Sequence, residues 1–179
     1  EQACLARSGQ KQAMCACSGF RTGRRASPSR LRSAPSISIS CRRRVICAIN
    51  PAIECLREYY PADAAPLKIT RAYEEGAFIP DQKPMFTYTG SFANLLELET
   101  LILQRTGVAC VSAYNAYKMA MNLPKTLFID MHARHASGDD FSQLAAYGAA
   151  VGSRLAKLHG ANGFIGASQD LTAHHYGME

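Results

Sequence analysis

Hydrophobic and polar positions change period several times along the chain, and each change marks a different kind of element. Ile53 to Tyr60 suits a short helix, stopped by Pro61. After Pro66 the run LKITRAY alternates, with Leu67, Ile69 and Arg71 on one side and Lys68, Thr70 and Ala72 on the other, which predicts a strand. Glu75-Gly76 reads as a turn, Ala77-Phe78-Ile79 as a short strand, and Pro80 to Pro84 as a loop. Met85 to Thr89 alternates again, so residues 66–90 form a small antiparallel sheet.

Helical spacing then takes over. Leu95, Leu98, Leu101 and Ile102 recur along FANLLELETLILQRTG, with Ser91 as N-cap and Gly107 as terminator. Val108 to Met121 reads as a second helix, whose Ala109, Ala113, Ala116 and Ala120 give a small-residue face for close packing. Asn122-Leu123-Pro124 breaks it. Thr126 to Ile129 is a short continuous apolar run, suited to a strand buried on both faces of a parallel sheet or barrel. Asp130 to Asp140 is a polar loop. Phe141 to His159 is a long helix whose Ala145, Ala146, Gly148, Ala149, Ala150 and Gly152 could lie close to a sheet. Asn162 to Gly166 is the next strand, and another helix starts at Leu171. Strand, helix and strand at this spacing predict a βαβ crossover.

Composition alters this picture at one end only. The chain has 179 residues, 47% of them hydrophobic, and a formal charge of +6. Residues 1–53 hold ten Lys or Arg and one acid, Glu1, while residues 54–179 hold ten Lys or Arg and thirteen acids. The basicity therefore belongs to the first third, a Ser, Arg and Cys-rich extension that buries too little apolar surface to order itself. It reads as an unstructured extension, an organelle transit peptide or a basic arm, and only Phe20 there could stack on a base. The expectation is no nucleic-acid partner and no membrane partner. No stretch approaches the roughly 18 apolar residues a membrane helix needs. The seven cysteines (Cys4, Cys15, Cys17, Cys41, Cys47, Cys55, Cys110) are odd in number and irregular in spacing, which predicts free thiols in a reducing compartment, with Cys110 a small core residue.

Candidate chemistry gathers where a parallel α/β unit binds ligands, beyond the carboxyl ends of its strands. That places Asp130–Asp140 (DMHARHASGDD) beside Gly166–Asp170 (GASQD). Arg134 offers a planar fork for a carboxylate or phosphate, or else pairs with Asp139 or Asp140. Gly138 allows close backbone approach, and Ser168 offers a hydroxyl and backbone N–H groups near a helix start. His132-x-x-His135 lacks a fixed geometry and a third ligand, and neighbours such as His174 and His175 diverge on a helix, so neither pair is read as a metal site.

Three motifs in order carry a resemblance: MFTYTGSFANLLELETLIL, LFIDMHARHASGDD and NGFIGASQDLTA. From Pro84 onward the chain resembles the nicotinate phosphoribosyltransferases and, more distantly, the quinolinate phosphoribosyltransferases. Glu99 falls at the Glu of the family's Leu-Leu-Glu helix. Asp130, Arg134, Gly138 and Asp140 match its DFGxRRxHGPD loop, and Gly163, Phe164, Gly166 and Ser168 match GFxGTSNVxA. The chain departs from the family at His132 (usually Gly), His135 (usually the second Arg), Ser137 (usually His), Ala167 (usually Thr) and Gln169 (usually Asn). Residues 1–53 show no resemblance.

The resemblance implies an α/β protein: an α+β sandwich over 54–122, then the first βα units of an incomplete α/β barrel over 123–179. It implies transfer of a phosphoribosyl group from phosphoribosyl pyrophosphate to nicotinate in NAD biosynthesis. Mg²⁺ and ATP are the implied cofactors, a homodimer the implied full-length form, and the cytoplasm the implied compartment (an organelle if residues 1–53 are a transit peptide). Arg134, His135, Gly138, Gly166 and Ser168 are the implied substrate-binding residues. The family's catalytic His belongs to a Gly-Thr-x-x-His motif that would fall beyond Glu179, so no catalytic residue is assigned and the chain alone is expected to be inactive. A quinolinate or nicotinamide-directed relative and a non-catalytic interaction product are the alternatives.

Overall fold

A computed structural model describes residues 36–40, 45, 47–80 and 83–178, apart from the side chains of residues 36–38 and 40. The expectations for residues 1–35, 41–44 and 46, including the basic arm and four of the cysteines (Cys4, Cys15, Cys17 and Cys41), lie outside them. The chain is a mixed α/β protein with a three-stranded antiparallel sheet and a two-stranded parallel sheet.

The first sheet runs β1 (Ser36–Ser40), β3 (Pro84–Thr89), β2 (Lys68–Arg71), with β3 in the middle. The antiparallel β2–β3 pair is as the alternation predicted. Its third strand comes from the segment expected to be unstructured. Ile39 of β1 is buried, and Val45, Cys47, Ala48 and Ile49 are fully buried behind it. The segment expected to be unstructured thus supplies a strand over Ser36–Ser40, whose alternating sequence suits the edge of a half-buried sheet despite its serines. Of Ala77-Phe78-Ile79, only Phe78 pairs, in a single bridge to Val45.

Helix α1 (Ile49–Tyr59) starts four residues before the predicted Ile53, and it has no local cap. Its N-terminus is held by a carboxylate from far along the chain. Glu75 accepts the backbone N–H groups of Ala48, Ile49 (3.0 Å) and Asn50 (3.3 Å), and the Tyr147 hydroxyl donates to it at 3.2 Å. A carboxylate there meets both the unpaired amides and the positive end of the helix dipole. Burial, then the Glu75 charge, hold the Tyr147 phenol above its ordinary range.

Helix α2 spans Phe92–Asn122 without a break. Gly107 does not end it. Its buried stripe runs Leu95, Leu98, Ile102, Thr106, Ala109, Cys110, Ala113, Ala116, Ala120, at helical spacing straight through the glycine. A glycine inside a helix costs about 1 kcal/mol, which a continuous packed face outweighs. At the helix start, the Ser91 N–H donates to the Tyr60 hydroxyl at 2.7 Å, and that hydroxyl donates to the Ala65 carbonyl at 2.5 Å.

The parallel unit is β4 (Leu127–Asp130), α3 (Asp139–Leu158) and β5 (Gly163–Ala167), the predicted βαβ order. The small residues of α3 pack against α2 rather than against a sheet. A Cβ on Gly148 would lie 2.3 Å from the Ala109 carbonyl oxygen, and one on Gly152 would lie 1.9 Å from that of Ala113. Both helices contribute small residues four apart, so their backbones touch. One buried cluster then runs from Ile39 and Phe86 in the sheet, through Leu56 and Ile102, to Val151 on α3. Cys47, Cys55 and Cys110 form no disulfide among the described residues and are buried in it, Cys110 as the expected core residue.

Strand β4 is not buried on both faces. Leu127 is 58% exposed and Ile129 57%, and Ile165 of β5 is also exposed. Among the described residues only two strands make up this sheet, so nothing covers those side chains.

Candidate functional site

Hydrogen bonds tie β4 to β5 at both ends. At the amino end, the Asn162 N–H donates to the Pro124 carbonyl at 2.8 Å and its side-chain amide to that of Lys125 at 2.9 Å. Between the ends, Phe128 pairs with Phe164, so their rings stack with centroids 5.3 Å apart. At the carboxyl end, the Ser168 N–H donates to the Asp130 carbonyl at 2.9 Å. The two motif loops are therefore joined at one mouth, as the sequence predicted.

The Asp130 carboxylate is the fixed point of this mouth. It is 9% exposed. One oxygen accepts the His132 backbone N–H at 2.9 Å and stands 3.4 Å from His132 Nδ1, while the other accepts the Tyr176 hydroxyl at 2.8 Å. Burial, then the bond to Asp130, push the Tyr176 phenol well above its ordinary range, so it stays a donor. Tyr176 was not found by sequence reasoning. It reaches Asp130 from 46 residues away, in a 3₁₀ turn (His174–Tyr176) after the four-residue helix α4 (Asp170–Ala173).

His132 to His135 form a 3₁₀ turn, not the open loop expected. It places His132, Arg134 and His135 along a cleft of about 550 Å³. Met119 and Ala116 of α2, Ala145 and Ala149 of α3, Ile129, Met131 and Phe164 form its apolar wall, and Ser112 and Asn115 of α2 its polar edge. These α2 residues were also missed, since they belong to none of the three motifs. Arg134 is exposed and, among the described residues, makes no ion pair with Asp139 or Asp140. A cation beside an apolar cleft is suited to a flat acid, whose ring enters the cleft while its carboxylate meets the guanidinium.

The other predicted residues have different surroundings. Gly138 adopts φ 101°, which only glycine takes readily, and so turns the chain into α3, whose first residues Asp139 and Asp140 suit the helix dipole. Gly166 is buried, and a Cβ there would lie 2.1 Å from Met178 Sδ, so it faces protein. The Ser168 side chain is exposed, but its N–H is spent on Asp130 and is no anion donor. Gln169 is tied back to α3, where the Ser142 hydroxyl donates to its Oε1 at 3.1 Å. Among the described residues, no group of three or more His, Cys, Asp or Glu is placed to hold a metal ion.

His174 and His175 lie ring to ring, with centroids 3.9 Å apart, rather than standing apart in solvent. Burial, then His174, then Arg154 push the His175 imidazole below its ordinary range. The unfolded chain therefore binds this proton more readily than the folded one. Stability should be unaffected by His175 at alkaline pH and should fall as pH drops from about 6.5 toward the lowered folded value. Thermal melts from about pH 8 to pH 5 should show His175→Gln losing less stability on acidification than the wild type. Parallel acid limbs in the two proteins would contradict this.

No family model matches the chain, and no curated protein does. Among solved structures, it is similar to the nicotinate-nucleotide pyrophosphorylase from Francisella tularensis, at 19% identity and a TM-score of 0.45, over 65% of this chain and 40% of that one. The chain thus spans less than half the length of that protein. No helix among the described residues is long and apolar enough to cross a membrane.

Proposed function

We propose that the chain is part of a type II phosphoribosyltransferase that joins nicotinate to phosphoribosyl pyrophosphate. What carries this reading is Arg134, free of any ion pair among the described residues and set beside an apolar cleft at the joined mouth of the two motif loops. Arg134 binds the pyridine carboxylate and His135 stands beside it. Orientation of the ring nitrogen toward the ribose C1 lowers the barrier by fixing reactant geometry. The new bond forms from that nitrogen to C1, and pyrophosphate leaves with the electron pair of the broken C1–O bond.

The described residues do not form a metal cage, so Mg²⁺ would arrive on the pyrophosphate substrate, and no step is assigned to Mg²⁺ or ATP. On this reading β4 and β5 are the first strands of a barrel, and further strands, from the same protein or a partner copy, cover Leu127 and Ile165. The residues described here would then have no turnover alone, in keeping with a site whose remaining groups lie on those strands.

A substrate panel tests the specificity. The full-length protein should prefer nicotinate to quinolinate and nicotinamide in kcat/KM. One carboxylate matches the one Arg among the described residues of this mouth, whereas quinolinate brings two and nicotinamide none. Preference for quinolinate or nicotinamide would move the chain to that relative of the same fold.

A further inference from the structure

Helix α2 presents one stripe to the cleft: Ser112, Asn115, Ala116 and Met119, at the spacing that puts side chains on one helix face. The stripe changes character along its length. Ala116 and Met119 make an apolar half, and Met119 is exposed there. Ser112 and Asn115, one turn nearer the helix start, make a polar half. Thr106 of the same helix returns its hydroxyl to the Ile102 carbonyl at 2.8 Å. Ser112 and Asn115 have no such partner among the described residues. They leave a hydroxyl and an amide uncommitted, each able to donate and to accept.

Charge is confined to the other wall. Arg134 and His135 stand on the 3₁₀ turn, and α2 gives the cleft no charged side chain. A volume of about 550 Å³ suits a ligand larger than one ring. A ring acid seated at Arg134 therefore leaves space for a substituent.

We propose that the cleft is a two-ended site, in which Arg134 takes the carboxylate of an aromatic acid and the Ser112–Asn115 pair takes the hydroxyls of a neutral sugar joined to its ring. Neighbouring sugar hydroxyls both donate and accept, as these two side chains do. A phosphate would be drawn instead to the cations of the turn. The Asp130 carboxylate is engaged by His132 and Tyr176, so the sugar falls to α2. Asn115, exposed, makes the main contact, and Ser112, half-buried, the second. Naming the sugar as ribose, carried on the ring atom that nicotinate uses as nucleophile, deepens the proposed function and rests on it.

Calorimetric titration of the full-length protein with benzoate and with 3-ribofuranosylbenzoate tests this. The second acid carries its sugar through a carbon–carbon bond at the position of the nicotinate nitrogen. Neither acid has a ring nitrogen or a phosphate, so the difference between them belongs to the sugar. The ribosyl acid should bind about tenfold more tightly, the worth of two neutral hydrogen bonds less the ordering of the sugar. Asn115→Leu keeps the shape of the side chain without its polar atoms, on an exposed helical position that tolerates it. It should cut the ratio to about twofold and change benzoate affinity by less than about twofold. Ser112→Ala should lower the ratio by a smaller factor, and Arg134→Ala should weaken both acids alike and keep it. Equal affinities in the wild type, a tenfold ratio retained in Asn115→Leu, equal weakening of both acids in that variant, or no binding of either acid would overturn the inference. If mononucleotide forms but Asn115→Leu keeps the wild-type ratio, this inference alone fails. If the ratio follows Asn115 but no mononucleotide forms, the transferase reading fails and the two-ended site stands.

Discussion

Gly152→Ala should destabilise the protein by about 2–3 kcal/mol, against the intrinsic preference for alanine in a helix. Helix propensity alone favours the substitution by about 1 kcal/mol. The added Cβ, however, would sit 1.9 Å from the Ala113 carbonyl oxygen, and the obstacle is backbone, not a side chain that can swing away. The two helices must separate or slide, which loosens the buried cluster from Ile102 to Val151. Lys157→Gly, at an exposed position near the end of the same helix, serves as a control, with a loss of up to about 1 kcal/mol from propensity. Urea unfolding of the three proteins checks the order. A Gly152→Ala protein as stable as the wild type would mean that α2 and α3 do not touch at their backbones.

Arg134→Ala should lower kcat/KM for nicotinate by about 100-fold, the worth of a charge-assisted, forked hydrogen bond of nearly 3 kcal/mol. The loss should appear mainly in KM if the guanidinium holds the carboxylate equally in ground and transition states. Arg134→Lys should recover only part of it, because an ammonium gives a point charge without the planar fork. Folding should be untouched, since Arg134 is exposed and makes no ion pair among the described residues. Steady-state kinetics with nicotinate varied at saturating phosphoribosyl pyrophosphate measures this. Unchanged kcat/KM in Arg134→Ala would remove the residue from the site.

What the sequence made legible was local. Alternation in LKITRAY and MFTYT, and the strand–helix–strand spacing from Leu127 to Ala167, depend on neighbours within a few residues, and they appear in the structure with small changes of boundary. Gly107 misled because a glycine ends a helix only when the chain turns away there, and the apolar stripe on either side continues in phase. The brief alternation of Ser36 to Ser40 was visible, but its serines lower the apolar content, and the run was read as part of an unstructured segment.

The contacts that shape the site were not legible, for a different reason. The Glu75 cap on α1 joins groups 26 residues apart, and Tyr176 meets Asp130 across 46. Neither partner carries a local signal of the other. The pairing of the Asp130 and Ser168 loops was recoverable because the parallel βαβ rule brings successive strand ends together. Which loop atoms remain free was not: Ser168 spends its N–H on Asp130, and Gly166 faces Met178.

The most direct test of the transferase reading is release of pyrophosphate by the full-length protein given phosphoribosyl pyrophosphate, Mg²⁺ and ATP, with and without nicotinate. Nicotinate-dependent release, with one nicotinate mononucleotide formed for each phosphoribosyl pyrophosphate consumed, is the predicted result. A cooperatively folded protein that forms no mononucleotide from nicotinate, quinolinate or nicotinamide under these conditions would contradict it.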